Sequence, residues 1–355
     1  MLSRGGANKS TFSELHPIMK AQSLLTLAAT AALITSAAAS ITIDYVSVGN
    51  PGNAADTTGY GAVDYAYQIG KYEVTNAQYA AFLNAVDPDG ANANGVYNSN
   101  MGSNPRGGIT YTAGAASGAK YTIRTSMGDK PVNYVSWYDA ARFTNWLGNG
   151  QGSGSTETGA YTLSGNTGTI TKNVGATVWL PSEDEWYKAA YYDPTPGAGG
   201  GDNYWLHATQ SDTAPTVAST NSTGDISNPG ANVANYASGA DWNSQNGNVT
   251  TVGSAGALAE SYFGTADQGG NVWEWNDAVI FGSSRGLRGG SFISDGFDLR
   301  ASFSNGNPPA SESYSIGFRV ASSSLSAVPE PSSLLSTAGL LGGALLLRRR
   351  SKRAL

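Results

Sequence analysis

Three short helix starts, each marked by a reciprocal capping pattern, stand between glycine-, asparagine- and serine-rich stretches far longer than ordinary connections. In the first, Thr75-Asn-Ala-Gln78 precedes Tyr79, Phe82, Leu83 and Val86 at helical spacing, and Asp87-Pro-Asp-Gly90 ends the run. The second opens at Ser136 with Asp139 three residues on, carries Ala140, Phe143 and Leu147 on one face, and meets its stop at Gly148. The third opens at Ser182 with Glu185 reciprocating, and puts Trp186 and Ala190 on one face. Between them lie 90–130, 148–176 and 195–260, too long for a compact domain unless something ties them down. Strand character is confined to Tyr67–Val74, Asn271–Trp275, Gly286–Phe292 and Ser315–Ala321. The fold class is therefore α+β, loop-rich, with little regular secondary structure. The 46 Gly suggest looseness, but 8 Trp and 19 Tyr are too much aromatic area to leave unpacked.

Charge and cysteine content exclude several function classes. The formal net charge is −6, yet residues 40–331 hold 12 basic and 25 acidic side chains, a net of −13. That field disfavours nucleic acid and favours cations or neutral polar ligands. There is no cysteine, which removes thiol catalysis, cysteine-zinc sites and iron–sulfur clusters together.

The two ends read as addressing segments. Met19-Lys20, an apolar run from Leu24 to Ile34 and Ser36-Ala-Ala-Ala39 have the three parts of a secretory signal peptide, so 1–39 is expected to be a signal region starting in effect at Met19. Residues 40–60 follow as an N-terminal extension. At the other end, 323–331 is a linker ending in Pro329-Glu330-Pro331, 332–347 is an apolar segment, and 348–355 is a basic tail containing Arg348 to Arg353. Sixteen residues make a helix of about 24 Å, slightly short for a hydrocarbon core of about 30 Å, and the basic tail holds its end in the cytoplasm. The order Pro-Glu-Pro, membrane helix, basic tail resembles the PEP-CTERM sorting signal of Gram-negative bacteria. The resemblance implies recognition by an exosortase-type protease, anchoring through the C-terminal helix before processing, and an envelope or extracellular destination.

The interior blocks are similar, in order, to formylglycine-generating-enzyme (sulfatase-modifying factor) domains: Tyr67–Phe82, Lys130–Ala141, Leu180-Pro-Ser-Glu-Asp-Glu-Trp186, Gly270-Asn-Val-Trp-Glu-Trp275, Leu287-Arg-Gly-Gly-Ser-Phe292 and Ile316-Gly-Phe-Arg-Val320. They cover roughly 61–322. The resemblance implies one α+β domain of the formylglycine-generating-enzyme fold, a relative of the C-type-lectin fold, in which long loops are expected. It also implies metal chemistry that this chain departs from. The oxidases of the family hold copper with two cysteines, whose positions fall near Ser294 and Leu299. Hydroxyl and alkyl groups cannot replace thiolates on Cu(I), so no copper is expected. Another branch uses iron held by several histidines. Beyond the signal region His207 stands alone, so no iron is expected, and His207 reads as a packing or surface residue.

One family site has matching residues. Asp267-Gln-Gly-Gly-Asn-Val-Trp-Glu274 is similar to a calcium loop, in which Asp267 and Glu274 would supply carboxylates and Gly270 and Val272 backbone carbonyls. The competing reading of Glu274 is an ion pair with an arginine such as Arg288 or Arg319. The family's other calcium loop would begin at Asn235-Tyr236, with its second half open among Asp241, Asn243 and Asn246. Glu183-Asp184-Glu185 sits in a helix first turn, where carboxylates favour the dipole, so it reads as structural. Arg288, Arg300 and Arg319 are expected to tie strands to loops, and no catalytic residue is assigned. Two functions compete. One is a non-catalytic binding or structural module with a glycan or protein ligand. The other is an enzyme of the superfamily with an unrecognised active site.

Overall fold

The structure is a computed structural model and describes residues 40–164 and 169–323. The expected signal region and the segments from 324 onward, including the 332–347 apolar stretch, lie outside the described residues. Among those described, no helix is long and apolar enough to cross a membrane.

In chain order the elements are β1 (Tyr45–Val48), β2 (Tyr67–Gly70), α1 (Asn76–Val86), α2 (Asn100–Ser103), β3 (Ile109–Tyr111), β4 (Tyr121–Ile123), α3 (Trp137–Gly148), β5 (Val178–Trp179), α4 (Glu183–Tyr191), β6 (Thr216–Val217), β7 (Val233–Ala234), β8 (Trp273–Ile280), β9 (Ser284–Arg288), β10 (Asn305–Asn307), β11 (Ile316–Phe318) and β12 (Ala321–Ser323). The three longer helices begin where the capping patterns put them. Thr75, Ser136 and Ser182 each accept from the backbone N–H three residues on, and Gln78, Asp139 and Glu185 each reach back to the cap. Gly148 is the last helical residue rather than the cap, which falls at Asn149.

Two four-stranded sheets carry the domain, in the orders β1-β2-β12-β5 and β10-β9-β8-β11. β1 pairs antiparallel with β2, so residues 45–48 of the expected extension are part of the first sheet. The expected strand 315–321 is two strands: β11 runs parallel to β8 in one sheet, and β12 joins β2 and β5 in the other. Arg319 and Val320 form the crossing between sheets, and both are buried. The main core is aromatic: Tyr79, Phe82, Phe143 and Trp146 of α1 and α3 pack with Phe318 at ring separations of 5.2–6.4 Å.

The long connections are held by side chains bonded to backbone. Asn145 of α3 donates to the Thr156 and Tyr161 carbonyls at 2.7 and 2.9 Å. Asn76 of α1 donates to the Met127 and Lys130 carbonyls at 3.0 and 3.1 Å. Arg106 reaches the Asn246 and Gly247 carbonyls, both at 2.9 Å. Asparagine is also the residue, after glycine, that best tolerates a left-handed backbone, and Asn92, Asn203, Asn232 and Asn271 all have positive φ.

Candidate functional site

The most connected buried group is Arg319, at the crossing between sheets. The parallel register sets Gly317 opposite Glu274, so the chain two residues later delivers Arg319 to that carboxylate. Its Nε donates to Oε2 at 2.6 Å and its Nη2 to Oε1 at 2.7 Å, a two-point fork. The remaining N–H groups go to the carbonyls of Gly70, Lys71 and Ala266 at 2.8–3.0 Å, so all five donors are used. Trp186 of α4 donates its indole N–H to Glu274 Oε2 at 2.7 Å. Of the two readings of Glu274, the structure holds the ion pair, with Arg319; Arg288 instead pairs with Glu183 and donates to the carbonyls of Ala301 and Phe303.

Two further carboxylates crowd the same guanidinium. Glu73, just past β2, is 1% exposed. Its Oε1 accepts from Asn271 Nδ2 at 3.0 Å, while its Oε2 has no partner. Burial first, and then the charge of Asp267, push Glu73 well above the usual carboxylate range. Asp267 accepts from the Gly253 N–H, and burial pushes it up to about 6. Glu73, Asp267 and Glu274 thus share one cation, Arg319, and two negative charges stay unbalanced unless protonated or met by a further cation.

A chain of amides links this group to the Asn235 loop. Asn271 accepts from the Thr250 N–H at 2.9 Å and from Asn235 Nδ2 at 3.2 Å. Asn235 Nδ2 also reaches the Asn248 carbonyl at 2.9 Å, leaving Asn235 Oδ1 and Asn248 Nδ2 buried without partners. Gly270 is required here: φ is +93°, and a Cβ would lie 2.3 Å from the Asn235 carbonyl oxygen. Val272 is fully buried in a small cluster with Met127, Trp242, Val249 and Phe292. Tyr236 packs with Ala234 and Leu299, its hydroxyl on the Pro215 carbonyl.

Of the open candidates, Asp241 accepts from the Gly247 N–H, Asn243 donates to the Pro105 carbonyl, and the Asn246 carbonyl receives Arg106. The residue that stands beside Asn235 is Asn248. Sequence reasoning missed Asn248, Asn271 and Glu73. The available signal was Glu73 itself, the one acid in the Tyr67–Val74 segment.

For calcium, the chemistry of the donor set fits in part. Unpartnered buried oxygens on Glu73 and Asn235, and the excess of carboxylates, suit a hard cation. Glu274 does not suit one as it stands, since both its oxygens are taken by Arg319 and Trp186. Among the described residues no group of three or more His, Asp or Glu side chains is arranged to hold a metal ion, so amide and backbone carbonyl oxygens would have to complete any shell.

The Ser294–Leu299 turn, near which the family resemblance puts a thiol pair, is closed by packing. Ser294 Oγ accepts from the Ser291 N–H at 3.1 Å. Leu299 is fully buried against Ala234 and Tyr236, and a Cβ at Gly290 would meet its Cδ1 at 2.7 Å. His207 is 1% exposed beneath this turn and hydrogen-bonds to the Leu299 backbone. Burial, with the Arg300 charge, lowers its pKa to about 4. It is neutral packing material, as one of its two expected placements had it. The Glu183–Glu185 acids are also engaged: Glu183 by Arg288 and Asn276, Asp184 by the Gly61 N–H, and Glu185 by Tyr65, Trp179 and Ser182.

These blocks belong to a known family. Residues 52–324 match the sulfatase-modifying factor enzyme 1-like domain, and the chain is a member of that family. Among curated proteins it is 26% identical over 286 residues to a hercynine oxygenase of Mycolicibacterium thermoresistibile, across 72% of this chain and 50% of the relative. The chain thus spans about half the length of that relative. Similar solved structures include CarF (TM-score 0.46, 21% identity, 79% of this chain and 98% of that one). Variable protein 1 of Treponema denticola has TM-score 0.46 and 19% identity over 81% and 97%. PvdO from Pseudomonas aeruginosa has TM-score 0.41 and 17% identity over 79% and 92%.

Proposed function

We propose that this protein is an exported member of the family that binds a ligand rather than oxidising one. One observation carries the reading: near the places where the family resemblance puts the copper thiols stand Ser294 and a fully buried Leu299, in a chain with no cysteine. A thiolate centre has neither ligands nor space there. An iron centre of several histidines has one imidazole to draw on among the described residues, His207, and it is buried. The competing reading, an enzyme with a different site, draws on the oxygenase named among the relatives. The ligand class is a neutral glycan or a protein, in keeping with the net negative charge of residues 40–331. Calcium, held by carbonyl and carboxylate oxygens around Asn235, Glu73 and Asp267, is proposed as a structural ion of the loops.

A cysteine-containing sulfatase peptide incubated with the protein and copper should yield no formylglycine by mass spectrometry. Aldehyde above a no-protein control would overturn the non-oxidase reading, and selective retention on a glycan array would support the binding one. Export rests on the terminal segments. Replacing Arg348–Arg353 with neutral residues should impair C-terminal processing, and an unchanged mature mass and fractionation would count against a sorting signal.

A further inference from the structure

Between β10 and β11 the chain crosses the start of α3 as a strap, residues 308–314. Two backbone bonds hold it there: the Trp137 N–H, the first of the helix, donates to the Pro309 carbonyl at 3.0 Å, and the Tyr134 N–H donates to the Ser313 carbonyl at 2.8 Å. The third fastening joins two acids. Glu312 hydrogen-bonds to Asp139, the reciprocal member of the α3 capping box, and also accepts from Asn98 Nδ2 at 2.6 Å. Two carboxyl groups can bond directly only if one of them carries a proton.

We propose that the 308–314 strap is a pH-sensitive latch, closed while Asp139 and Glu312 share one proton and released when both are ionised.

The surroundings favour a held proton. Asp139 is 3% exposed, and Ser136 occupies its Oδ2 through both N–H and hydroxyl at 2.9 and 2.6 Å. The nearest cation, Arg142, stands 3.9 Å from Oδ1 but points its Nε at Glu157 at 2.7 Å. Its charge is therefore largely spent on Glu157. Tyr79, the other titratable group facing Asp139, is buried with its hydroxyl donated to the Val96 carbonyl, and stays neutral. Burial pushes Asp139 up to about 7; Glu312, an exposed residue, is raised as well, partial desolvation outweighing the lowering by its bonds to Asn98 and Asp139.

The sign follows. A carboxyl raised in the folded state binds its proton more tightly folded than unfolded. Its contribution is complete below the ordinary value near 4 and is lost as pH rises towards 7. The strap also bounds a cleft of about 460 Å³, in which Pro309 faces Tyr138, Ile170 and Arg285. Release of the strap therefore widens that cleft.

Hydrogen exchange at the Trp137 and Tyr134 amides reads the latch directly, since both N–H groups bond to strap carbonyls. After correction for intrinsic exchange, their opening should increase about tenfold per pH unit at most between pH 5 and 7, the limit for release of one proton. Glu312→Gln donates an amide N–H to Asp139 without needing a proton, so its protection should be high and flat with pH. Glu312→Ala should be open at both ends of the range. A pH-independent wild type, or a Glu312→Gln protein with the wild-type slope, would overturn the latch.

Discussion

Arg319→Met should be the most destabilising single substitution in the domain, at about 3–5 kcal/mol by chemical denaturation, because it strands a buried carboxylate. The loss has two parts. Glu274 keeps only the Trp186 indole N–H as a partner, and the Gly70, Lys71 and Ala266 carbonyls lose the donor that draws the end of β2 and the 266 loop to the sheet crossing. Arg319→Lys keeps the charge but not the planar fork, and should fall between wild type and the methionine variant. Arg319→Met with Glu274→Leu should recover only partly. Removing both partners of a buried pair is normally close to neutral, but Glu73 and Asp267 would then have no guanidinium at all. A loss below about 1 kcal/mol for Arg319→Met would mean that these carboxylates are neutral or already balanced, and the electrostatic account of the crossing would fail.

What could be read from the sequence was what is local. Each capping box is a four-residue pattern, so Thr75, Ser136 and Ser182 declared their helices without help from the rest of the chain. The family blocks fixed the fold class in the same way. The Arg319 hub was only half legible. An Arg–Glu274 pair was one of two open readings, but the choice depends on the parallel register of β8 with β11, which brings together residues about 45 positions apart. A single run from 315 to 321 also conceals the switch between sheets, since both halves are equally buried. Glu73 was missed because an acid in a short strand-like segment ordinarily marks a solvent face, whereas here Glu73 is buried and Gln68, Lys71 and Tyr72 hold the partly exposed positions. Asn248 was missed because the loop it closes returns 13 residues after Asn235, and spacing alone singled out Asp241, Asn243 and Asn246 as readily.

Calcium should raise the melting temperature, and the residue that decides it should be Glu73 rather than Glu274. The buried carboxylates outnumber their cation, one Glu73 oxygen and the Asn235 Oδ1 have no partner, and the chain contains no disulfide to fix its loops. Ordering each loop residue costs roughly 1–2 kcal/mol in backbone entropy, so an ion joining the 235, 248 and 267 loops opposes a large term. At a hundredfold excess over its Kd a ligand specific for the folded state adds about 2.7 kcal/mol, and magnesium should add less because it demands a tighter octahedron. Glu73→Gln removes a charge with no partner to lose at Oε2, so the metal-free variant should be at least as stable as wild type and should lose most of the calcium increment. Asn235→Ala should reduce that increment if the orphan amide oxygen is a ligand, and leave it intact if the ion sits wholly at Glu73 and Asp267. Glu274→Gln, by contrast, should destabilise the metal-free protein, because Arg319 is then left without its carboxylate. Melting curves indifferent to calcium and to chelator, or a Glu73→Gln protein that gains as much from calcium as wild type, would remove the ion from this account and leave the buried acids to be neutralised by protons alone.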